Sequence, residues 1–355
     1  MPRLDCNCIA FYVSGHGFGH ASRSIELINA LVDRRPGLRV VVRSQVAPWL
    51  FTRTARPGVE LMPVETDTGV VQIDSLRLEA GETIRRASAF METLPARVAA
   101  EVEFLRAHEA TLVVADLPPL GIAAAHAAGL PAIAYGNFTW DWIYANYEGG
   151  ADLARQIGEI YSRTTLALRL PMWGGFQTMT QVRDLPFVAR HSHRDPEDTR
   201  RALGIPLNQR VVLVSFGGYG LQGATRPAAP GYRVLWPGDV DESAMYDRGY
   251  RYEDLVRAVD VVVTKPGYGI ISECIANDTA LLYTSRGEFR EYPVLVEAMP
   301  RYLRCAYIDQ EELLSGNWQP HLDRLLAQAT PSVKPATNGA EVAAGILFDC
   351  PSHRL

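Results

Sequence analysis

Short, near-continuous apolar runs alternate with amphipathic stretches along this chain, and no other feature limits its fold as tightly. Residues 9–13, 39–42, 59–64, 112–115 and 132–135 read as buried strands. Between them, residues 22–32, 87–107 and 120–128 carry helical spacing, and the last runs into Gly129-Leu130-Pro131, a capping glycine and a proline stop. Fully apolar strands joined by helices imply right-handed crossovers and a parallel sheet. A second cycle follows, with strands at 210–216, 232–236, 259–264 and 280–284 and a helix at 270–277. The chain has 355 residues, more than the ~250 that one core usually serves. Two doubly wound, Rossmann-like α/β domains are therefore expected, at residues 1–180 and 181–337. A helix over about 338–355 should cross back to the first domain, burying Ala340, Val342, Ala343 and Ala344.

Composition narrows the function. Hydrophobic residues make up 47% and charged residues 21%, as in an ordinary globular protein. A net charge of -5 argues against a nucleic-acid partner. The sequence holds no apolar run of eighteen residues, so no membrane span is expected. Its first residues lead straight into a strand without a signal peptide, which points to the cytoplasm. The five cysteines (Cys6, Cys8, Cys274, Cys305, Cys350) show no zinc spacing and read as reduced thiols. His191-Ser-His193 lies in a polar, proline-rich stretch that reads as the connection between the halves, so no metal site is expected. The sequence leaves monomer and homodimer open.

The first strand gives way to Ser14-Gly15-His16-Gly17-Phe18-Gly19-His20 and then to a helix. Alternating glycines let the backbone turn tightly and leave amides pointing outward at a helix N-terminus, which suits an anion. The two imidazoles add a group that titrates near neutrality, which phosphate binding does not need. The dinucleotide fingerprint fails because His20 stands at its third glycine, and Arg43-Ser44, not an acidic residue, closes the second strand. A dehydrogenase is thereby disfavoured. Asp116 ends the strand at 112–115. If the two strands are neighbours, its carboxylate can orient His20 or His16 as a general base; the competing reading of Asp116 is an N-cap for the helix after Pro118-Pro119. The aromatic cluster at 138–147 could offer an acceptor platform through Trp140 and Trp142, with polar contacts from Asn137 and Asp141.

The second half has a comparable turn, Lys265-Pro266-Gly267-Tyr268-Gly269, feeding a helix that carries Ser272 and Glu273. Its first amides can hold a phosphate, and Glu273 can accept two hydrogen bonds from a ribose diol. Gly217-Gly218 forms a third turn, after the first strand of this half. Together these describe a nucleotide site opposite a proton-transfer site.

These residues resemble the two-domain GT-B glycosyltransferases. Gly17-Phe18-Gly19-His20 looks like the glycine–histidine loop of the nucleotide-sugar-dependent members, including the lipid-linked GlcNAc transferase of cell-wall synthesis, and the resemblance puts Gly17 and Phe18 on the acceptor side. His20 with Asp116 is similar to the histidine–aspartate dyad of plant-type glycosyltransferases. Residues 267–273 look like their donor motif, in which the carboxylate holds the ribose of a uridine nucleotide. Glu291 and Tyr292 stand where the family places donor-sugar contacts. A closer resemblance, over nearly the whole chain, is to the N-terminal, glycosyltransferase-like domain of plant L-arabinokinases. It is carried by Gly136-Asn137-Phe138-Thr139-Trp140-Asp141-Trp142, by Lys265-Pro266-Gly267-Tyr268-Gly269, by Phe289-Arg290-Glu291-Tyr292-Pro293 and by Asn338-Gly339-Ala340-Glu341. No glycine/serine-rich ATP loop is present, so arabinose phosphorylation is not implied.

The resemblance implies a GT-B fold with a cleft between its domains. The implied reaction is metal-independent, base-assisted, inverting transfer from a nucleotide sugar, UDP-linked by analogy, to a small-molecule acceptor, with no cofactor beyond that co-substrate. Two other readings compete: a non-catalytic nucleotide-sugar sensor, and a nucleotide-sugar epimerase of the same architecture.

Overall fold

The computed structural model describes residues 7–217, 220–221 and 223–349, which leaves Gly218 outside the described residues. The chain divides into two compact units. One comprises Met1–Val71, Glu79–Val188 and Asn338–Leu355; the other comprises Gln72–Leu78 and Ala189–Thr337.

The first unit is built on a seven-stranded parallel sheet. Its strands are β1 (Cys8–Val13), β2 (Arg39–Arg43), β3 (Val59–Met62), β4 (Leu112–Asp116), β5 (Ala132–Phe138), β6 (Leu166–Gly174) and β7 (Val182–Asp184), in the spatial order β3-β2-β1-β4-β5-β6-β7. Every residue of β1, β4 and β5 is buried, which is why these strands read as unbroken apolar runs. β1 leads to β2 on one side and β4 to β5 on the other, so the strand order reverses between β1 and β4. There Val13 pairs with Asp116. Open parallel sheets bind ligands at that reversal, beyond the carboxyl ends of the strands.

Local chemistry sets the element boundaries. The helix Phe18–Arg34 starts four residues before the sequence pattern suggests, with Gly17 at its N-cap in a φ of 76° that a side chain would resist. Helix Pro119–Ala128 ends on Gly129 in the left-handed conformation, as the glycine–proline signal predicts. The single helix expected over 87–107 is instead two, Ala80–Glu92 and Leu94–Ala107. Pro95 explains the break, because it has no N–H for the helical ladder and its ring clashes with the preceding turn. Strand β7 is short and mostly exposed, yet it pairs with β6, so the boundary between units falls after Val188 and not at 180. The C-terminal helix Gly339–Asp349 packs on Phe18–Arg34 within this unit and buries Ala343, Ala344 and Leu347.

The second unit holds a five-stranded parallel sheet of β8 (Arg210–Val214), β9 (Tyr232–Leu235), β10 (Val261–Thr264), β11 (Ala280–Tyr283) and β12 (Cys305–Tyr307). Their order is β12-β11-β10-β8-β9, with the reversal between β8 and β10. Leu76 joins the core of this unit beside Val212, Val214, Phe216 and Trp318. Ser75 Oγ donates to the carbonyls of Phe216 and Gly220 at 3.1 and 2.6 Å. A segment that precedes β4 in sequence is thus built into the second unit, which the periodicity did not suggest. Among the described residues no helix is long and apolar enough to cross a membrane.

Candidate active site

At the reversal of the first sheet, helix Phe18–Arg34 points His20, Arg23 and Ser24 at the end of β4, the i, i+3, i+4 spacing that puts side chains on one face. His20 Nδ1 lies 2.9 Å from Asp116 Oδ1. Arg23 Nε donates to Asp116 Oδ2 at 2.7 Å, its Nη2 donates to Oδ1, and Ser24 Oγ donates to Oδ2 at 3.0 Å. Burial pushes the Asp116 carboxyl up, but the charge of Arg23, then that of His20, and their hydrogen bonds outweigh it and hold it below its ordinary value. Asp116 is therefore ionised, and a ring nitrogen facing it must carry the proton. That leaves the lone pair of His20 on Nε2. Asp116 does not cap its helix: the N-cap there is Pro118.

His16 is engaged differently. Its Nδ1 accepts a hydrogen bond from the Val70 amide at 3.3 Å, so the neutral ring carries its proton on Nε2. The ring also packs against Gly69, which has a φ of 58° and where a Cβ would lie 2.7 Å from the imidazole. His16 thus ties the glycine turn to the loop after β3.

That loop brings a carboxylate which the sequence reading did not single out. Asp67 accepts from Ser14 Oγ at 2.9 Å and from Trp140 Nε1 at 3.0 Å. Burial raises it to about 6, against the charge of His20 and these two hydrogen bonds. Residues 65–79 have neither strand nor helix periodicity, so nothing local in the sequence marked it out.

Two residues expected at the acceptor are buried. Trp140 is fully buried, stacked on His20 with centroids 6.0 Å apart and donating to Asp67. Asn137 is fully buried too, and its side-chain oxygen accepts from Arg23 Nη1. Both side chains take part in the charged cluster. Asp141 and Trp142 are half-buried; the Asp141 carboxylate accepts from the Trp142 amide, and the Trp142 ring packs on Gly174. Gly17 is exposed and Phe18 half-buried, with the Phe18 ring 5.6 Å from the exposed Trp49.

In the second unit, Lys265 follows β10 and the helix Tyr268–Ala276 starts after Gly267. Lys265 Nζ donates to Gln72 Oε1 at 3.1 Å. Burial, aided by the nearby charge of Arg286, lowers Lys265 to about 7. Arg286 donates to the Pro266 carbonyl at 3.1 Å and lies 3.5 Å from Glu291. Gly217 and the backbone of Gly267 and Gly269 are accessible, and Tyr292 is half-buried.

Three residues expected at the donor are buried. The Tyr268 side chain is buried, and Ser272 Oγ turns back to the Gly269 carbonyl of its own helix. Glu273 is buried as well, and its Oε1 accepts from Arg190 Nε at 2.6 Å. Burial raises the Glu273 carboxyl against the pull of Arg190. Among the described residues, no group of three or more His, Cys, Asp or Glu side chains is placed to hold a metal ion.

Residues 7–171 match the family model described as glycosyl transferase family 1. An L-arabinokinase of Arabidopsis thaliana is 30% identical, over 98% of this chain and 35% of its own length. The chain thus spans about a third of that relative. Among solved structures, Medicago truncatula UGT71G1 complexed with UDP-glucose superposes with a TM-score of 0.60 at 10% identity, covering 97% of this chain and 98% of that one. UGT2 of Phytolacca americana, complexed with UDP-2fluoro-glucose and pterostilbene, gives 0.58 at 13% identity, covering 96% and 94%.

Proposed function

We propose that this chain is a glycosyltransferase of the GT-B class and moves a sugar from a UDP-linked donor held by its second unit to a hydroxyl of a small-molecule acceptor held by its first; the family-model match over residues 7–171 and the likeness in fold support this. The observation that carries the reading is the 2.9 Å contact of His20 Nδ1 with Asp116, which leaves Nε2 able to accept a proton. His20 is then the general base and Asp116 its orienting partner. His16, whose Nδ1 is already used, belongs to the loop's support.

In the proposed step, Nε2 of His20 takes the acceptor's hydroxyl proton as that oxygen bonds to the anomeric carbon. The bond from this carbon to the diphosphate oxygen breaks, and its electron pair leaves with UDP. Attack opposite the leaving group inverts the anomeric centre. Lys265, Arg286 and the amides at the start of helix Tyr268–Ala276 offer positive charge to the departing diphosphate, which is the basis for a metal-independent reaction. Glu273 Oε2 would meet the ribose, while Glu291 and Tyr292 would face the donor sugar. The choice of uridine draws on the two UDP-sugar complexes among the solved neighbours. The free thiols of Cys8, Cys274 and Cys305 suit a cytoplasmic setting.

One observation favours a second reading, a sensor that binds nucleotide sugars without transfer: the carboxylate assigned to the ribose is already paired with Arg190. The donor half of the proposal is tested by thermal stabilisation with uridine, guanosine and thymidine diphosphates. At a hundred times its dissociation constant the true ligand should stabilise by about 2.7 kcal/mol. If no nucleoside diphosphate raises the melting temperature at millimolar concentration, the donor site is wrongly assigned.

A further inference from the structure

Residues 72–78 lie between two stretches of the first unit in sequence, yet they belong to the second unit. The segment closes on itself. Gln72 pairs with Leu78, the Ile73 amide donates to the Arg77 carbonyl at 3.0 Å, and the Asp74 carboxylate accepts from the Leu76 and Arg77 amides at 2.8 Å each. Ser75 and Leu76, at its tip, are buried and anchor it: Ser75 through the Phe216 and Gly220 carbonyls, Leu76 in the core.

The segment runs along the ligand edge of the second sheet. Phe216 follows β8, Lys265 follows β10 and Gly287 follows β11, and these three strands are neighbours. Ser75 meets the first, Gln72 Oε1 accepts from Lys265 Nζ at 3.1 Å, and a Cβ on Gly287 would lie 3.4 Å from the Leu76 carbonyl. Open parallel sheets take their ligands beyond these strand ends.

Lys265 is half-buried, and among the described residues its one hydrogen bond goes to the neutral Gln72 amide. The nearby Arg286 has Glu291 3.5 Å away. Asp74, whose charge also acts on Lys265, spends its carboxylate on the amides of its own segment and on Arg77. An ammonium on a ligand edge, partly desolvated and partnered by an amide oxygen alone, is a place for an anion. A charged phosphate oxygen is the stronger acceptor and displaces the amide.

We propose that Gln72 is an affinity-setting residue of the donor site: its amide oxygen holds the place at Lys265 that a phosphate oxygen of the donor takes, and the donor must displace it. The inference rests on the reading of Lys265 as a partner of the diphosphate. It makes the segment a competitor for the site and not a brace, and the two roles differ in sign. Losing a brace weakens binding, whereas losing a competitor tightens it.

The test is calorimetric titration of the full chain with inorganic pyrophosphate at pH 7, which needs neither uridine, sugar nor acceptor. Gln72→Ala and Gln72→Asn withdraw the amide from Lys265 and should bind about two- to tenfold more tightly than wild type, the net worth of one hydrogen bond. Gln72→Glu sets a carboxylate against the ammonium and should bind ~10-fold or more weakly. The Ser75 and Leu76 anchors are untouched in all three. Affinity unchanged or weaker in Gln72→Ala, or in Gln72→Asn should Gln72→Ala not fold, would overturn the proposal, as would no binding of pyrophosphate to the wild type at millimolar concentration. Lys265→Met separates the two readings. If it binds pyrophosphate as tightly as wild type, the diphosphate is misplaced; if it loses binding while Gln72→Ala stays at the wild-type affinity, only the role of Gln72 fails.

Discussion

Binding of a sugar diphosphate should consume protons, because Lys265 is held at about 7 in the free protein. A diphosphate at the start of helix Tyr268–Ala276 would replace the neutral Gln72 oxygen as the partner of Nζ. Its charge would return the ammonium toward its ordinary value of 10.5. The folded, unliganded protein then binds fewer protons than the complex between roughly pH 7 and pH 10, so affinity must fall as pH rises through that window. With Lys265 about three-quarters protonated at pH 6.5 and only a few per cent at pH 8.5, the dissociation constant should rise roughly 20-fold, about 1.8 kcal/mol. UDP-glucose is the right probe, since its diphosphate is a diester without the terminal ionisation near pH 6 of a phosphate monoester. Calorimetric titration at both pH values, in buffers of different ionisation enthalpy, gives the affinity and the proton uptake together. At pH 8.5 nearly one proton should be taken up per ligand bound. Lys265→Met should bind more weakly at pH 6.5 and lose the pH dependence. A wild-type affinity flat across the window, or an equal slope in Lys265→Met, would refute the placement of the diphosphate at Lys265.

Two predictions concern stability. Asp67 is raised from 3.8 to about 6 by burial, so the folded state holds its proton more tightly than the unfolded chain does. Its favourable contribution is present at low pH and lost as pH rises through 6, so between pH 4.5 and 7.5 the wild type should lose about 2 kcal/mol relative to Asp67→Asn in urea unfolding; a difference constant with pH would contradict the buried, ionisable state. Gly69→Ala puts a methyl against the His16 ring and a side chain in a left-handed backbone, and should cost about 1–3 kcal/mol. Much of that cost should vanish in the His16→Ala background; strict additivity in the double-mutant cycle would mean the two residues do not touch.

The sequence carried the parts of this fold that local physics decides. Unbroken apolar runs marked β1, β4 and β5, because strands covered on both faces have no polar side to betray. From that order followed the neighbouring of His20 and Asp116, although they lie far apart along the chain. The parts that stayed illegible depend on tertiary contact. Arg23 and Ser24 lie on a helix whose polar residues would ordinarily face water, and only the end of β4 turns that face inward. Asp67 comes from a stretch without periodicity. Trp140 and Asn137 looked like ligand contacts because an aromatic cluster beside a strand end is equally suited to a buried scaffold, which is where the structure puts them. Glu273 stood at a plausible distance along its helix, but Arg190, far away in sequence, claims one of its oxygens.

The most direct test of the central claim is donor turnover in His20→Ala, measured as UDP release from a UDP-sugar with and without a panel of sugar and polyol acceptors. General-base catalysis commonly contributes ~10²–10⁴, so turnover should fall ~100-fold or more while UDP-sugar affinity stays within about twofold of wild type. His16→Ala, read in parallel, should retain most of its turnover, since its Nδ1 is bound to the Val70 amide. Turnover in His20→Ala within about threefold of wild type, or an equal loss in His16→Ala, would contradict the assignment of His20 as the residue that takes the acceptor's proton.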